Sequence, residues 1–292
     1  MDLVAGDNNW DVILDEHNGS ILAAFPFVKK NKAWFKVIGM PDLTPYMGIW
    51  WDTDGVKSEA ERKTLEKRIQ TSLIERLPPR DKFFIQLFPE ISNGIDLDWN
   101  GYEILAQHTY IIDNLADLNG VYNNFRRNIK GDITKAKKSI QIITSNDFDN
   151  FYQTCSKTFV RIKKKNPYDK ELMRKAYETA HKKGCGRLMV AKDENGNTHA
   201  AVLLVWDKKT TYYLAGGGDP HLRSSGATSL LLWEAIEFAS TVSSRFDFEG
   251  SMIPSVEKFF QGFGARQTPY LLITQTSSYI LRLRESIKKA LS

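Results

Sequence analysis

Hydrophobic and polar positions alternate in three short runs between Trp10 and Ile38. WDVILD, ILAAFPFV and AWFKVI are separated by the polar stretches EHNGS and KKNK. Period-two alternation broken by Asn, Gly and lysine predicts an antiparallel meander. In the loop MPDLTPYMGIWWD, Pro41, Pro45 and Gly48 argue against regular structure. Its Tyr46, Met47, Trp50 and Trp51 are too apolar to be left wholly in water, so it is either packed or bound to something. Leu65, Ile69, Leu73 and Leu77 then recur every fourth residue, the stripe of a surface helix that Pro78-Pro79 ends. KFFIQLF from Lys82 reads as a buried strand, and YEILAQHTYIIDN from Tyr102 as a second.

The pattern changes after Leu115. A long helix is expected from Leu118 to Lys138, a strand from Ile140, helices from Asp147 and Lys170, and three strands starting at Arg187, His199 and Thr211. The turn DENGN at 193–197 and the tight connection Asp207-Lys208-Lys209 make these strands a second meander. A helix from about Ala227 follows, then RFDFEGSMIPSVEKFFQGFGA, a strand at Tyr270 and a terminal helix with Ile280, Leu283 and Ile287. Each half thus shows a meander with flanking helices, which predicts a mixed α/β fold of two related units, 1–115 and 116–292.

Within RFDFEGSM, Phe246 and Phe248 alternate with Asp247 and Glu249 before the break at Gly250, so a strand with an apolar face displays two acids at its end. Strand ends facing helix starts are where open α/β sheets bind ligands, which makes the pair a candidate site wall. The structural alternative is a solvated pair or an ion pair with Arg245 or a neighbouring strand. Gly216-Gly217-Gly218 and Arg223-Ser-Ser-Gly226-Ala227 precede a helix, where open backbone amides and an arginine suit a pyrophosphate. A flexible glycine turn is the alternative there.

Composition limits the chemistry further. The charge is a modest +5, yet Arg126, Arg127, Lys130, Lys135, Lys137 and Lys138 crowd one helix, and Arg161, Lys163, Lys164 and Lys165 follow the next. Either run can hold phosphates or simply be a solvated face. The two cysteines, Cys155 and Cys185, and the five histidines have no metal-ligand spacing, so no metal site is expected and the thiols read as reduced packing residues. No apolar window reaches membrane-spanning length and the N-terminus lacks a signal pattern, so a cytoplasmic protein without integral membrane contact is expected.

The segment Arg223-x-x-Gly226-Ala227 opening a helix, then strand and short helix ending near Gly-Phe, resembles the acyl-donor half of the GNAT acyltransferase superfamily. Thr228 stands where that pattern has glycine or alanine. HTYIIDN followed by NNFRRNIKGDITKAKK, and FDFEGSM with FFQGFGA, resemble the Fem-type branch, aminoacyl transferases that build peptidoglycan cross-bridges from aminoacyl-tRNA. The overlap runs from about Tyr102 to Ile273, and the N-terminal meander would be the first of two GNAT-like units. This branch often has Phe-Lys before its final Phe-Gly, where this chain has Phe259-Phe260 with Lys258 beside them.

The resemblance implies an N-acyltransferase or aminoacyltransferase. An amine would attack a thioester or ester directly, which needs positioning, proton transfer and oxyanion donors but no protein nucleophile. Glu249 or Asp247 would be the base, and Lys258 or a backbone amide the electrophilic aid. Arg223, Gly226 and Ala227 would hold donor phosphate, while Arg126, Arg127 and Lys130 would face an anionic acceptor or a tRNA end. No cofactor would be tightly bound: acyl-CoA or aminoacyl-tRNA serves as donor, and the acceptor is an amine, with cell-wall or glycan precursors, nucleotide-linked or lipid-linked, among its forms. The alternative is a non-catalytic GNAT-like module that binds RNA or an anionic glycan.

Overall fold

The computed structural model describes residues 1–52, 58–89, 91, 101–161, 166–250 and 254–290. Lys163, Lys164 and Lys165 of the second basic run, and Ser251 to Ile253 of the FDFEGSMIP stretch, lie outside them. The chain forms two compact units, 1–107 with 269–292, and 108–268. This differs from a division at 115 with everything later in the second unit.

The first unit holds α1 (Asp2–Ala5), β1 (Trp10–His17), β2 (Ser20–Lys32), β3 (Phe35–Gly39), β4 (Trp50–Trp51), α2 (Glu59–Glu75), β5 (Lys82–Gln86) and α9 (Tyr279–Ala290). It also takes the start of β6 (Glu103–Ile112) and most of β12 (Arg266–Thr276). The expected meander is present: β1 and β2 pair antiparallel, as do β2 and β3. β3 then lies parallel to β5, and β5 pairs antiparallel with Leu272 to Thr276 of β12. That last pairing is why the C-terminal segment returns to this unit. Ser58 caps α2 by accepting Glu61 N–H at 3.2 Å. Ile69 and Leu73 of α2, with Leu77 just beyond it, lie buried over Phe25, Phe83 and Ile85 in the core. The proline-rich loop is packed: Tyr46, Met47 and Ile49 are buried, Met47 N–H bonds Gln86 C=O at 2.7 Å, and Trp50-Trp51 form the short β4 against β2.

The second unit runs from the end of β6 through α3 (Leu118–Asn123), α4 (Arg127–Ala136), β7 (Ile140–Ser145), α5 (Phe148–Arg161), α6 (Lys170–Lys182), β8 (Gly186–Asp193), β9 (Thr198–Trp206) and β10 (Thr210–Gly218). A 3-10 turn (Arg223–Ser225), α7 (Ala227–Ala239), β11 (Arg245–Asp247), α8 (Pro254–Gln261) and the start of β12 complete it. Its strand order is β7-β8-β9-β10-β11-β6; of these pairings among the described residues, only β10–β11 is parallel. The DENGN turn is as expected, with Asp193 Oδ1 accepting the N–H groups of Asn195 and Asn197 at 3.0 and 2.8 Å.

Two expectations change here. The helix from Leu118 to Lys138 is two helices, because Phe125 drops into the core against Trp233 and Phe263, with ring centroids 5.3 and 5.1 Å away. Arg126 is extended at this break, and its N–H bonds Gly262 C=O at 2.8 Å. The strand expected to run through Glu249 stops at Asp247, because Glu249 has φ 58° and Gly250 φ 67°, both left-handed.

Candidate active site

Strands β10 and β11 stay in parallel register for three rungs, the last pairing Tyr212 with Asp247. Beyond it β10 bulges between Tyr213 and Ala215 and continues with β9 to Gly218, while β11 ends. Two strands that part in this way leave unpaired backbone and an opening between them. Glu249 lies two residues beyond the last rung.

Phe246 and Phe248 are buried with rings 4.9 Å apart, so the apolar half of the alternation forms core as expected. Asp247 is also buried. Its Oδ1 accepts the Thr109 hydroxyl at 2.5 Å and the Glu249 N–H at 2.8 Å, which holds the left-handed turn in place. The Glu249 residue is half-buried, but its Oε1 is enclosed and has no hydrogen-bond partner among the described residues. Burial, and secondarily the Asp247 charge, raises its pKa well above the carboxylate range.

Tyr168 and Tyr213 sense the same carboxylate. Tyr168 is pushed up to about 12, by burial first and then by the Glu249 charge. Burial raises Tyr213 too, with Cys155, Tyr168 and Glu249 adding to it. Tyr168 is held by its neighbours, because its carbonyl accepts Tyr152 O–H at 2.8 Å and its N–H bonds Asn166 Oδ1 at 3.0 Å. Burial likewise raises the Cys155 thiol, which keeps it a neutral packing group. A carboxyl whose pKa is raised by burial and whose enclosed oxygen has no partner among the described residues can, once ionised, exchange a proton with a ligand nitrogen. Neither tyrosine stands out in the sequence, since Tyr168 sits in a connection and Tyr213 reads as one more strand aromatic.

Among the described residues, none of the other expected residues except Asp247 bonds Glu249. Lys258 is exposed on α8 and makes no hydrogen bond or ion pair among the described residues. Instead Glu257 and Gln261 of that helix turn inward: Tyr110 O–H bonds Glu257 Oε1 at 2.6 Å, and Gln261 Nε2 bonds the Tyr110 hydroxyl at 2.9 Å. Arg126 joins this network through Gln261 Oε1 at 3.3 Å. Arg127 is exposed, whereas Lys130 bonds Asn123 C=O at 2.8 Å and lies over the Tyr122 ring.

Arg223 is exposed, but Gly226 and Ala227 are buried beneath α4. A Cβ on Gly226, which has φ 77°, would fall 2.4 Å from the Asp132 carbonyl oxygen, so close helix packing requires glycine there. Gly217 similarly lets α5 lie on β10, since a Cβ would fall 2.8 Å from Cys155 Cα. Ser225 Oγ accepts the Ala227 N–H at 3.2 Å and is 2.9 Å from His199 Nδ1, whose Nε2 is 3.2 Å from Asp193. This chain ties the head of α7 to the β8–β9 turn. Its members are too far apart in sequence to be found by spacing. A separate cavity of about 290 Å³, lined by Asp113, Asn114, Asp117, Asn124, Phe263 and Arg266 among others, touches none of the expected site residues.

Residues 123–251 match the family model described as an acetyltransferase (GNAT) domain. The fold is similar to the crystal structure of FemX, with TM-score 0.68 at 13% identity over 90% of this chain and 87% of that one. It is also similar to the C-terminal domain of a protein named as a lysylphosphatidylglycerol synthetase from Agrobacterium fabrum, with TM-score 0.57 at 10% identity over 98% and 90% of the two chains. A tandem GNAT protein from the clavulanic acid biosynthesis pathway gives TM-score 0.52 at 8% identity over 93% and 84%. No curated protein matches the chain.

Proposed function

Because the chain has a Fem-like fold of the GNAT superfamily, we propose that it is an N-acyltransferase or aminoacyltransferase, with acyl-CoA or aminoacyl-tRNA as donor and an amine as acceptor. The observation that carries this reading is the enclosed Oε1 of Glu249, unpartnered among the described residues, two residues beyond the last rung of β10 and β11. Desolvation costs a buried carboxyl several kcal/mol unless a partner offsets it, and an acceptor ammonium is such a partner.

In this reading the ammonium docks on ionised Glu249, which takes one proton; the free nitrogen attacks the ester or thioester carbonyl, the C–O or C–S bond breaks, and the tRNA hydroxyl or CoA thiol leaves with the second proton from nitrogen. Asp247 is a positioning residue that fixes the Glu249 backbone from behind. Tyr168 and Tyr213, neutral at physiological pH, supply hydroxyl donors beside the carboxyl. Arg223 is the part of the donor segment open to a phosphate, while Gly226 and Ala227 shape the segment by packing. Arg126 and Arg127 face an anionic acceptor or tRNA end, with Lys130 holding their helix against α3. Lys258 serves only if the substrate itself brings a group to the outer face of α8. Amine-bearing cell-wall or glycan precursors, nucleotide-linked or lipid-linked, are the first acceptors to try.

One observation favours the rival reading, a non-catalytic module for RNA or an anionic glycan. Phe260 is buried with its ring 4.8 Å from Phe248, so no cation occupies the position that carries lysine in the resembling branch. A transfer assay with acyl-CoA compounds and charged tRNAs separates the two. Product that depends on Glu249 supports the transferase, whereas ligand retention without donor turnover supports the module.

A further inference from the structure

The first unit carries two features that cost stability at one end of its fold. Strands β2 and β3 are joined by a two-residue turn, Lys32 pairing with Phe35 across it. Ala33 takes φ 55° there, a conformation that favours glycine, and Trp34 beside it is 94% exposed. An indole at the tip of so short a turn cannot fold back onto the hairpin. The second feature is α9. Its Glu285 is tied inward, to Lys82 of β5 and to Thr276 Oγ1 at 3.2 Å. With about 3.6 residues per turn, Ile280, Leu283 and Ile287 are then directed away from that attachment. They are 66%, 51% and 53% exposed. The helix is amphipathic with its apolar face outward.

Asp81 brings the two together. Its N–H bonds Lys36 C=O at 2.8 Å and its Oδ2 accepts Lys36 N–H at 2.8 Å, while its carbonyl accepts the N–H groups of Ser277 and Ser278, which lead into α9. The surrounding charge is basic. Lys32, Lys36 and Arg284 are exposed, and a cleft of about 310 Å³ lined by Lys29, Lys30, Lys36 and three asparagines opens beside the hairpin. The acids nearest to hand are engaged: Asp81 on backbone, Glu285 with Lys82, and Asp11 and Asp42 with Lys29 and Lys30.

We propose that this end of the first unit docks on an anionic lipid surface, Trp34 with Ile280, Leu283 and Ile287 entering the interface and Lys32, Lys36 and Arg284 facing lipid phosphates. Amphipathic aromatic tips and outward apolar helices rimmed by cations are suited to the headgroup boundary, where the indole and aliphatic groups leave water and the charges keep their counter-ions. The contact is peripheral, since no helix among the described residues is long and apolar enough to cross a membrane. It does not depend on the transferase reading.

The test is cosedimentation of the full chain with vesicles of phosphatidylcholine alone or mixed equally with phosphatidylglycerol. Binding is expected to the anionic vesicles and to fall by about tenfold or more on neutral ones or in high salt. Trp34→Ala, and separately Ile280→Ser with Leu283→Ser and Ile287→Ser, should each weaken it by about tenfold while leaving the melting temperature unchanged, because all four side chains are exposed. Equal binding to neutral vesicles, or anionic binding that both variants retain, overturns the proposal. So does a parent protein that ignores vesicles but forms a dimer which the triple variant loses, a result that assigns the face to a second copy.

Discussion

Asp247 Oδ1 accepts the backbone N–H of Glu249 at 2.8 Å, so one acid of the pair builds the turn that presents the other. The two carboxylates are therefore not equivalent, although they alternate in sequence like members of one face. Asp247→Asn should lower the melting temperature, costing roughly 1–3 kcal/mol, because the Thr109 hydroxyl and the Glu249 N–H lose a charged acceptor. Glu249→Gln should leave the fold intact and reduce transfer by something like 10²–10⁴-fold. Thermal melts and single-turnover rates on both variants check the assignment. Transfer by Glu249→Gln at the parent rate removes Glu249 from the chemistry.

The pH dependence of stability and of rate should run in opposite directions. Glu249 has its pKa raised on folding, so the folded protein holds a proton that the unfolded chain has already released. Its contribution to stability is full below the ordinary carboxyl range. It is then lost as pH rises through the folded value. Glu249→Gln should accordingly melt above the parent by a margin that grows with pH, whereas parental transfer, needing the ionised form, should rise over the same interval. Melting curves and rate profiles from acid to neutral pH measure both; a margin independent of pH contradicts the burial of the carboxyl.

Gly226→Ala should destabilise by roughly 1–3 kcal/mol, since it adds a left-handed backbone penalty to a collision with the Asp132 carbonyl. If the head of α7 also receives donor phosphate, the variant loses donor affinity in a thermal-shift assay. Arg223→Ala, at an exposed position, should lose affinity without losing stability.

Arg126→Ala with Arg127→Ala should weaken binding of an anionic ligand and flatten its salt dependence. For a single-stranded tRNA end, the slope should change by about 0.7 for each phosphate that the variant no longer neutralises. Titrations at low and high salt decide it. Identical slopes would return both arginines to a solvated or Gln261-bonded role.

Elements with a strong local period were legible from sequence. The stripe of Ile69, Leu73 and Leu77 and the DENGN turn owe little to distant residues, and both occur where expected. What escaped depends on packing between residues far apart along the chain. The break at Phe125 exists because Trp233 and Phe263 wait for its ring. Glycines 217 and 226 look like a phosphate cradle in sequence, yet each answers to a backbone more than sixty residues away, at Cys155 and Asp132. Acids at 247 and 249 were visible as a pair. Only the ending of β11 and the Thr109 bond make one an anchor and leave the other open. In α9, periodicity marked an apolar face but not its direction, which Lys82 and Glu285 decide.

The return of residues 269–292 to the first unit has a consequence for biosynthesis. Strand β5 emerges from the ribosome long before Leu272 to Thr276, its antiparallel partner, so its edge stands open while all of 108–268 is being translated. At roughly 5–20 residues per second that interval lasts on the order of ten to thirty seconds, ample time for the contiguous second unit to fold first. A nascent chain halted before residue 269 should thus protect the second unit from protease and leave the first one cleavable, with Phe83 and Ile85 a target for holdase chaperones until the last strand arrives.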